Sequence, residues 1–520
     1  MQGLGWAATL AATPIFAILG LMLGLMLGLH WSAARAGAAA LALAALLSVV
    51  VFDFGAPGAA PLRSFAGVVA EGGFLTLTIL WILWPALALH RLQQTRGAID
   101  TLRNSLTRLT GSTALQALLV GWLMALFFEG AAGFGTPVAL AAPLLVGLGF
   151  APVPAVALAL LGHAVGVSFG ALGTPVLAQV ALTGLDGVQI AWRTALLHTL
   201  LGGVMMVFFV RTLAASGHRP GWRWAALAAA GFLLPSMALA ALLGPELATL
   251  GGALIGGALF IAVLRRQAVA RLVPSGGGEP LGAASGMAQA LAPYGVLVVG
   301  VVALAVARLW PPVADALSDV EIAWQGFGGF GGRMQPLAHP GTLLLVSLLV
   351  GARLQRVPIR DVGAALAHSA RQLVPVTLAL LAMLVLSRLM LHAGFIGTLE
   401  QAAVQLVGPA WPWVAPAVGA LGSFVTGSAT ASNVLFTSLQ AQTAQALSLP
   451  VTAIVAAQGF GAAVGNIVCP HNIVAGAATV GLAGRESEIL RRMLLPCAIY
   501  LALGGAVLSG LLWSGLLTGA

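Results

Sequence analysis

The sequence stretch that decides the fold is residues 128–137, FEGAAGFGTP, in which glycines and a proline interrupt a long apolar run. A second interruption, GALGTP at 170–175, follows in the same half of the chain. Two comparable interruptions occur in the second half: TGSATASN at 426–433, and GAAVGN at 461–466, which precedes CPHN at 469–472. Helix-breaking and hydrogen-bonding residues are costly in apolar surroundings unless they line a cavity. The interruptions therefore predict broken helices around an internal site.

The interruptions have the same spacing in both halves of the chain. Gly135 to Gly173 spans 38 residues, and Gly427 to Gly465 also spans 38 residues. Interrupted apolar segments at corresponding positions of two halves are the sequence feature that best indicates the binding site of a membrane transporter.

The composition places the chain in a membrane. Of its 520 residues, 60% are hydrophobic and only 7% are charged, against roughly 25% charged in soluble domains. The net charge of +9 comes from arginines in loops, where they set membrane orientation, so we expect no nucleic-acid partner. Cys469 and Cys497 have no metal-ligand spacing, and we expect neither a metal nor another cofactor.

Apolar stretches of about 20 residues, long enough to cross a bilayer, predict an all-α polytopic fold with about 12 transmembrane helices. These stretches are 6–29, 33–52, 66–90, 152–182, 188–210, 224–243, 247–264, 290–307, 338–352, 372–393, 447–482 and 493–517. Two further apolar stretches, 113–150 and 412–441, carry glycine-rich motifs near their middles and are interpreted as re-entrant hairpins. Full crossings there remain an alternative that leaves the downstream topology unchanged.

The arginines predict the orientation. With this span count, only Arg63, Arg193, Arg308, Arg333 and Arg388 fall on one side of the membrane, and the other 18 of the 23 basic residues (23 − 5) fall on the opposite side. Because basic residues are enriched in cytoplasmic loops, both termini are predicted to lie outside.

The same count predicts two inverted repeats. Residues 1–211 form the first, with hairpin 113–150 and broken helix 152–182, and residues 290–520 form the second, with hairpin 412–441 and broken helix 447–482. Residues 212–289 supply two linking helices and a cytoplasmic loop. A GxGxxG match at 326–331 lies in a loop that we predict to be flexible; we expect no strand before it and no βαβ unit around it, so it does not indicate a dinucleotide site.

Neutral donors at the breaks are suited to an anion. Helix N-termini expose N–H groups and a partial positive charge, and Thr136, Thr174, Ser428, Thr430 and Asn433 lie at such breaks. Asn466 and Asn472 flank the last one. Membrane-embedded arginines are nearly absent, since Arg193 and Arg388 lie near helix ends, so this set favours a small, singly charged, hydroxylated acid. The alternative for each hydroxyl is simple helix packing with a bond to the preceding turn.

Ionisable residues at membrane depth are candidates for proton coupling. Glu129 directly precedes the first glycine break, whereas Glu71 lies nearer the membrane surface, and either could instead be structural. His471, inside the last break, could contact substrate or relay a proton. We expect the proton on the first half and most polar substrate contacts on the second.

Three motifs resemble the L-lactate permease family: FEGAAGFGTPV at 128–138, GSATASNVLF at 427–436 and CPHNIV at 469–474. The resemblance covers essentially the whole chain. It implies a proton symporter for L-lactate, D-lactate and glycolate in a bacterial inner membrane, and not an enzyme. Some members carry an acidic residue where this chain has Ala429, which leaves the identity of the coupling residue open.

Carried over by motif, the resemblance implies a substrate site of the following residues: Gly133, Gly135, Thr136, Gly173, Thr174, Ser428, Thr430, Asn433, Asn466, His471 and Asn472. The proton-coupling candidates are Glu129, His471 and Glu71. Two other functions remain open from the residues alone, namely a sodium-coupled carrier for mono- or dicarboxylates and a passive anion channel. An intramembrane enzyme is the weakest alternative.

Overall fold

The computed structural model describes residues 13–14, 16–18, 20–21, 24–25, 29, 31, 33–52, 54–55, 61–98, 101, 109–131, 133, 135–269, 282–307, 310–327, 329–337, 339–482 and 485–517. The protein is mostly helical, at 83%, which confirms the predicted helical class. The predicted span 6–29 lies largely outside the described residues.

Among the described residues, the first half, the linking segment and the first span of the second half contain helices α1 to α10. They are α1 (Ala33–Val50), α2 (Pro61–Thr95), α3 (Thr113–Ala131), α4 (Thr136–Gly147), α5 (Pro152–His163), α6 (Gly170–Thr183), α7 (Gly187–Ala215), α8 (Trp222–Leu243), α9 (Ala248–Val269) and α10 (Gly282–Ala307). A 3₁₀ turn, Ala164–Phe169, joins α5 to α6, and Leu119–Met124 inside α3 is π-helical.

The rest of the described chain contains nine helices and one hairpin of strands. The elements are α11 (Pro311–Asp319), β1 (Ile322–Gly326), β2 (Phe330–Met334), α12 (Pro340–Leu354), α13 (Ile359–His392), α14 (Phe395–Leu406), α15 (Trp411–Thr426), α16 (Ala429–Ala446), α17 (Val451–Gly465), α18 (Pro470–Thr479) and α19 (Glu486–Trp513).

Seven of the described helical segments are long and apolar enough to cross a membrane, or eight if the bent helix α13 counts as one span. Several other predicted spans are shorter apolar helices, such as 341–354 and 451–465. The second of these is short because the chain breaks at 466–469, where the predicted motifs GAAVGN (461–466) and CPHN (469–472) meet, before α18 begins.

The helix breaks lie where glycine permits a left-handed backbone. Gly135 is the N-cap of α4 with φ of 78°, and Gly427 is the C-cap of α15 with φ of 79°, so a left-handed glycine lies at the turn of each hairpin. In α6 the break also falls on Ala171 (φ 43°) and Leu172 (φ 58°). A left-handed conformation costs a non-glycine residue roughly 1–2 kcal/mol, so this break is held by its surroundings.

The broken segment of the first half forms the centre of the fold. All of the apolar window in Pro152–Thr183 is buried within the protein, compared with 33% for α19 at the periphery. Glycines bring the hairpins against the broken helices: Gly162 lies against the Gly121 carbonyl, and Gly461 lies against the Pro416 carbonyl. Close backbone approach through small residues is typical of helix packing in membranes.

The predicted flexible loop after α10 contains structure instead, and the expectation that no strand precedes the GxGxxG match was wrong, because β1 ends at Gly326. Strands β1 and β2 pair antiparallel, with Gly326 opposite Phe330. The turn between them has positive φ at Phe327 and Gly329, the left-handed geometry that tight hairpin turns require. This hairpin lies against α2, where Phe330 contacts Gly67. The all-helical prediction missed it because the glycine-rich run was read only as a linker.

Candidate functional site

All four interruptions meet at one small internal cavity of about 30 Å³. The first half contributes Glu129, Gly133, Val167, Gly170, Ala171 and Pro175. The second half contributes Gly427, Ser428, Ala429, Thr430 and Asn466. The two hairpin tips and the two broken helices therefore face one another, although they are separated by about 300 residues of sequence.

Glu129 contributes a carboxyl group to the lining of the cavity. It lies in the last turn of α3, its side chain is only 4% exposed, and its carboxyl group has no ion pair with any cation in the described part of the chain. Burial of a carboxylate without a cationic partner is strongly unfavourable.

Two glycines make room for the Glu129 carboxyl group. A Cβ atom added to Gly170 would overlap Oε1 of Glu129, and one added to Gly133 would lie 3.4 Å from the same oxygen. These glycines of the first two interruptions therefore do more than bend the chain, because they leave the space that the acid occupies.

The second hairpin presents two hydroxyl groups. Ser428 caps α16, where its Oγ accepts a hydrogen bond from Ala431 N at 3.4 Å, which leaves its O–H free to donate. Thr430 is buried, and no hydrogen bond of its hydroxyl is found among the described residues. Both residues lie at the N-terminus of α16, whose first N–H groups lack intrahelical partners. This corner of the cavity therefore favours an anion.

Asn466 and Asn472 form a connected pair in the second broken helix. Asn472 Nδ2 donates to the backbone carbonyl oxygen of Asn466 at 3.1 Å and also to its Oδ1. Asn466 lines the cavity, whereas the Oδ1 atom of Asn472 lies against Gly135, 2.9 Å from where a Cβ would be. Asn472 thus supports a cavity residue and contacts the first hairpin.

Asn433, Thr174 and Gly173 lie behind the cavity wall. Asn433 donates through Nδ2 to the carbonyl oxygen of Pro175 at 3.0 Å, and Thr174 donates to the Ala171 carbonyl oxygen at 2.5 Å. Gly173 contacts Pro245 of the linking segment. These residues stabilise the break in α6, and they are not among the residues that line the cavity.

The side chains of two predicted site residues are not among those that the structure describes. They are Thr136, at the start of α4, and His471, in the first turn of α18. Their predicted roles stay predictions.

Glu71 belongs to a separate cluster. Its Oε1 accepts from Arg388 at 2.5 Å and its Oε2 lies 2.7 Å from His392 Nε2. The cluster joins α2 to α13, and Phe330 of the β-hairpin packs on the His392 ring. None of its members is among the residues that line the cavity, so the structure places Glu71 in an ion pair between the halves.

No basic side chain lines the cavity formed by the described residues. Arg193 bonds to Gln189 on its own helix and stacks on Trp192, while Arg388 is paired with Glu71. No cluster of three or more potential metal ligands occurs among the described residues.

The sequence matches the family described as L-lactate permease over residues 7–326 and 332–512. The chain belongs to the L-lactate permease family. It is 29% identical to the glycolate permease GlcA of Escherichia coli (strain K12), over 98% of this chain and 96% of that protein. It is 28% identical to the L-lactate permease of the same strain, over 96% and 95%.

The fold is similar to that of a solved transporter. The crystal structure of the Alcanivorax borkumensis YdaH transporter matches with a TM-score of 0.53 at 14% identity, over 93% of this chain and 100% of that one. Together with its apolar spans, membership of the L-lactate permease family makes this chain a multi-pass transport protein of the bacterial inner membrane, and not an enzyme.

Sequence reasoning missed a buried polar chain in this permease. Ser168 in the 3₁₀ turn lies 2.9 Å from His198 Nε2 and donates to the Gly459 carbonyl oxygen at 3.1 Å. His198 Nδ1 lies 3.2 Å from the Tyr500 hydroxyl. These hydrogen bonds connect the first broken helix to α17 and α19. Its members are far apart in sequence, and only a pattern of polar residues in apolar helices could have indicated them.

A second missed network stabilises the second hairpin. Gln440 donates to Gln458 Oε1 at 3.0 Å and accepts from Trp411 Nε1 at 2.9 Å. Gln458 in turn donates to Ser432 Oγ at 3.2 Å. Because each polar group has a partner, the network fixes α15, α16 and α17 relative to one another without the cost of unsatisfied burial.

Proposed function

We propose that this permease takes up L-lactate and related small 2-hydroxy monocarboxylates, D-lactate and glycolate among them, together with a proton. Relatives that match over nearly its whole length are named glycolate permease and L-lactate permease. One methyl group is worth only about 1–3 kcal/mol in a pocket, so a site that accepts lactate also accepts glycolate.

The observation that carries this proposal is the chemistry of the cavity. It combines one carboxyl group, Glu129, with neutral donors from Ser428, Thr430 and Asn466, and no basic side chain lines it within the described residues. Neutral donors and helix N-termini can hold a carboxylate without the strong attraction that would slow its release.

The proximity of Glu129 supplies a physical reason for proton coupling. Two negative charges on the order of 5 Å apart, at an effective dielectric constant of about 20, repel each other by about 3 kcal/mol. That is roughly a hundredfold in affinity. A substrate carboxylate therefore binds well only when Glu129 carries a proton, which makes the two ligands travel together.

The lining of the cavity supports a small substrate. Its volume of about 30 Å³ holds only about one or two water molecules, so the binding of lactate requires the cavity to widen. The lining combines hydroxyl and amide donors on one side with the apolar Val167 and Ala171 on another, which is suited to a carboxylate, a hydroxyl and a short carbon chain.

We further propose that the chain forms about 12 crossings with two re-entrant hairpins, both termini outside, in inverted repeats at 1–211 and 290–520 joined by 212–289. The left-handed glycine in each hairpin, Gly135 in the first and Gly427 in the second, supports this repeat. Inverted repeats that meet at a central site are the architecture on which alternating access operates in many secondary transporters.

Uptake by purified protein in proteoliposomes tests the proposal. With an inward proton gradient, labelled L-lactate should accumulate above its external concentration, and an ionophore that collapses the gradient should abolish the accumulation. No uptake of any 2-hydroxy acid under these conditions refutes the function.

The rival functions give different results in the same vesicles. Loss of uptake when sodium is replaced by choline would favour a sodium-coupled carrier. Flux that does not saturate and never exceeds equilibration would favour a passive channel. Competition by glycolate and by each lactate enantiomer measures the selectivity.

A further inference from the structure

His163 is a buried polar side chain that the proposed cycle does not use. It ends α5, is fully shielded, and its Nδ1 lies 2.7 Å from the carbonyl oxygen of Ala159. Its ring lies beside the Asn466 side chain, but Nε2 makes no hydrogen bond of good geometry to any group in the described part of the chain. An unsatisfied buried group costs roughly 1–3 kcal/mol, so its presence requires an explanation.

The surroundings of Nδ1 decide which ring nitrogen carries the hydrogen. A carbonyl oxygen can only accept, so Nδ1 of His163 donates to Ala159. In the neutral ring, Nε2 is then an acceptor, and it has no donor among the described residues.

The same reasoning fixes the orientation of the Asn466 amide. Asn472 Nδ2 approaches both the backbone carbonyl oxygen and Oδ1 of Asn466. Because the backbone carbonyl only accepts, the approaching group must be an NH₂, and the atom of Asn466 beside it must be an oxygen. The Nδ2 group of Asn466 therefore points away from Asn472 and has two hydrogens to donate.

We propose that His163 positions Asn466 for the substrate carboxylate: Nε2 accepts one hydrogen from Asn466 Nδ2 and so directs the other into the cavity. The inference rests on the proposed function, since it takes the ligand to be an anion. Asn472 and His163 hold the amide from its two ends. A flipped amide would present Oδ1 to the carboxylate and replace attraction by repulsion.

Two substitutions of His163 separate this role from packing. In His163→Gln, the side-chain amide can place an acceptor oxygen where Nε2 is, while the bond to Ala159 is lost. In His163→Asn, the shorter amide keeps a donor to Ala159 but has no acceptor near Asn466. The two variants therefore test the two ring nitrogens one at a time.

In proteoliposomes we expect His163→Asn to raise the KM for L-lactate about tenfold with Vmax within about twofold of wild type. We expect His163→Gln to keep a KM within about twofold, and the pH dependence to be unchanged in both. In an Asn466→Ala background, His163→Asn should have no further effect on KM. An unchanged KM in His163→Asn, an additive effect in that background, or a shifted pH profile overturns the inference.

Nitrogen NMR of histidine-labelled wild-type protein in lipid tests the ring itself, with His163→Asn used to assign its signal. We expect a neutral ring protonated on Nδ1 with a hydrogen-bonded Nε2 in the presence of L-lactate. A doubly protonated ring, or one protonated on Nε2, overturns the inference. Absence of uptake by the wild type refutes the proposed function instead. The NMR result reports only on the hydrogen bonds of His163 and does not depend on uptake.

Discussion

Replacing Glu129 by Gln separates substrate movement from proton movement. Glutamine has the same size as the protonated acid, and the absence of a Cβ at Gly170 leaves the space that the side-chain amide needs. The variant keeps a neutral, polar group at the cavity but cannot release a proton. We therefore expect it to bind and exchange substrate while losing the coupling.

The expected magnitude follows from one proton for each monocarboxylate. A gradient of one pH unit is worth about 1.4 kcal/mol per proton, which sustains about a tenfold accumulation of lactate. In Glu129→Gln this ratio should fall to about one. The variant also lacks the charge repulsion of about 3 kcal/mol, so its affinity should stay constant as pH rises, whereas that of the wild type weakens.

Two measurements on the same vesicles decide the outcome. The steady-state ratio of internal to external labelled lactate reports coupling, and the exchange of internal lactate for external label without a gradient reports binding and conformational change. Glu129→Asp is the matched control, because it keeps a titratable carboxyl group. It should retain the tenfold ratio, although its rate falls because the shorter side chain reaches less far into the cavity.

A tenfold ratio in Glu129→Gln would refute the reasoning, because accumulation would then proceed without a proton on this residue. Loss of exchange along with accumulation would also count against it, provided the variant purifies as a folded protein.

Other residues give further tests. Thr430→Val removes a hydroxyl group but keeps the shape, so the KM for lactate should rise about tenfold, as loss of a hydrogen bond to an anion implies; an unchanged KM would exclude this contact. Gly170→Ala would overlap the Glu129 carboxyl group and should abolish uptake, whereas Gly203→Ala, where a Cβ meets nothing within 4 Å, should not; equal uptake by both contradicts the packing. Glu71→Gln leaves Arg388, whose side chain is only 11% exposed, without its charge partner and should lower the free energy of unfolding by about 3 kcal/mol in thermal denaturation, with the accumulation ratio unchanged; a lost ratio would make Glu71 part of the coupling.

Much of the arrangement could be predicted from local sequence. The glycine motifs predicted where helices break, because glycine and proline interrupt helices whatever their partners. The sequence also placed Glu129 beside one of these breaks. It could not predict which donors face the cavity: Ser428 and Asn466 line it, while Asn433, one helical turn beyond the second hairpin tip, bonds to the Pro175 carbonyl instead.

The β-hairpin and the Glu71 cluster also could not be predicted from local sequence. The run 326–331 was interpreted as a flexible linker, yet its residues form a turn and strand that pack on α2. Glu71 was a candidate proton carrier from its depth alone, and its pairing with Arg388 joins positions 317 residues apart, which no local pattern could indicate.

The sequence by itself determined that this protein lies in a membrane, that its helices break at matched positions in two halves, and that a carboxyl group adjoins one break. These properties follow from hydropathy and backbone conformation, which depend on neighbouring residues. Only the tertiary structure decided that the four breaks share one cavity, that Gly170 makes room for Glu129, and that His163 lies beside Asn466. Such contacts depend on where distant helices pack, and a small shift in that packing changes which polar groups meet.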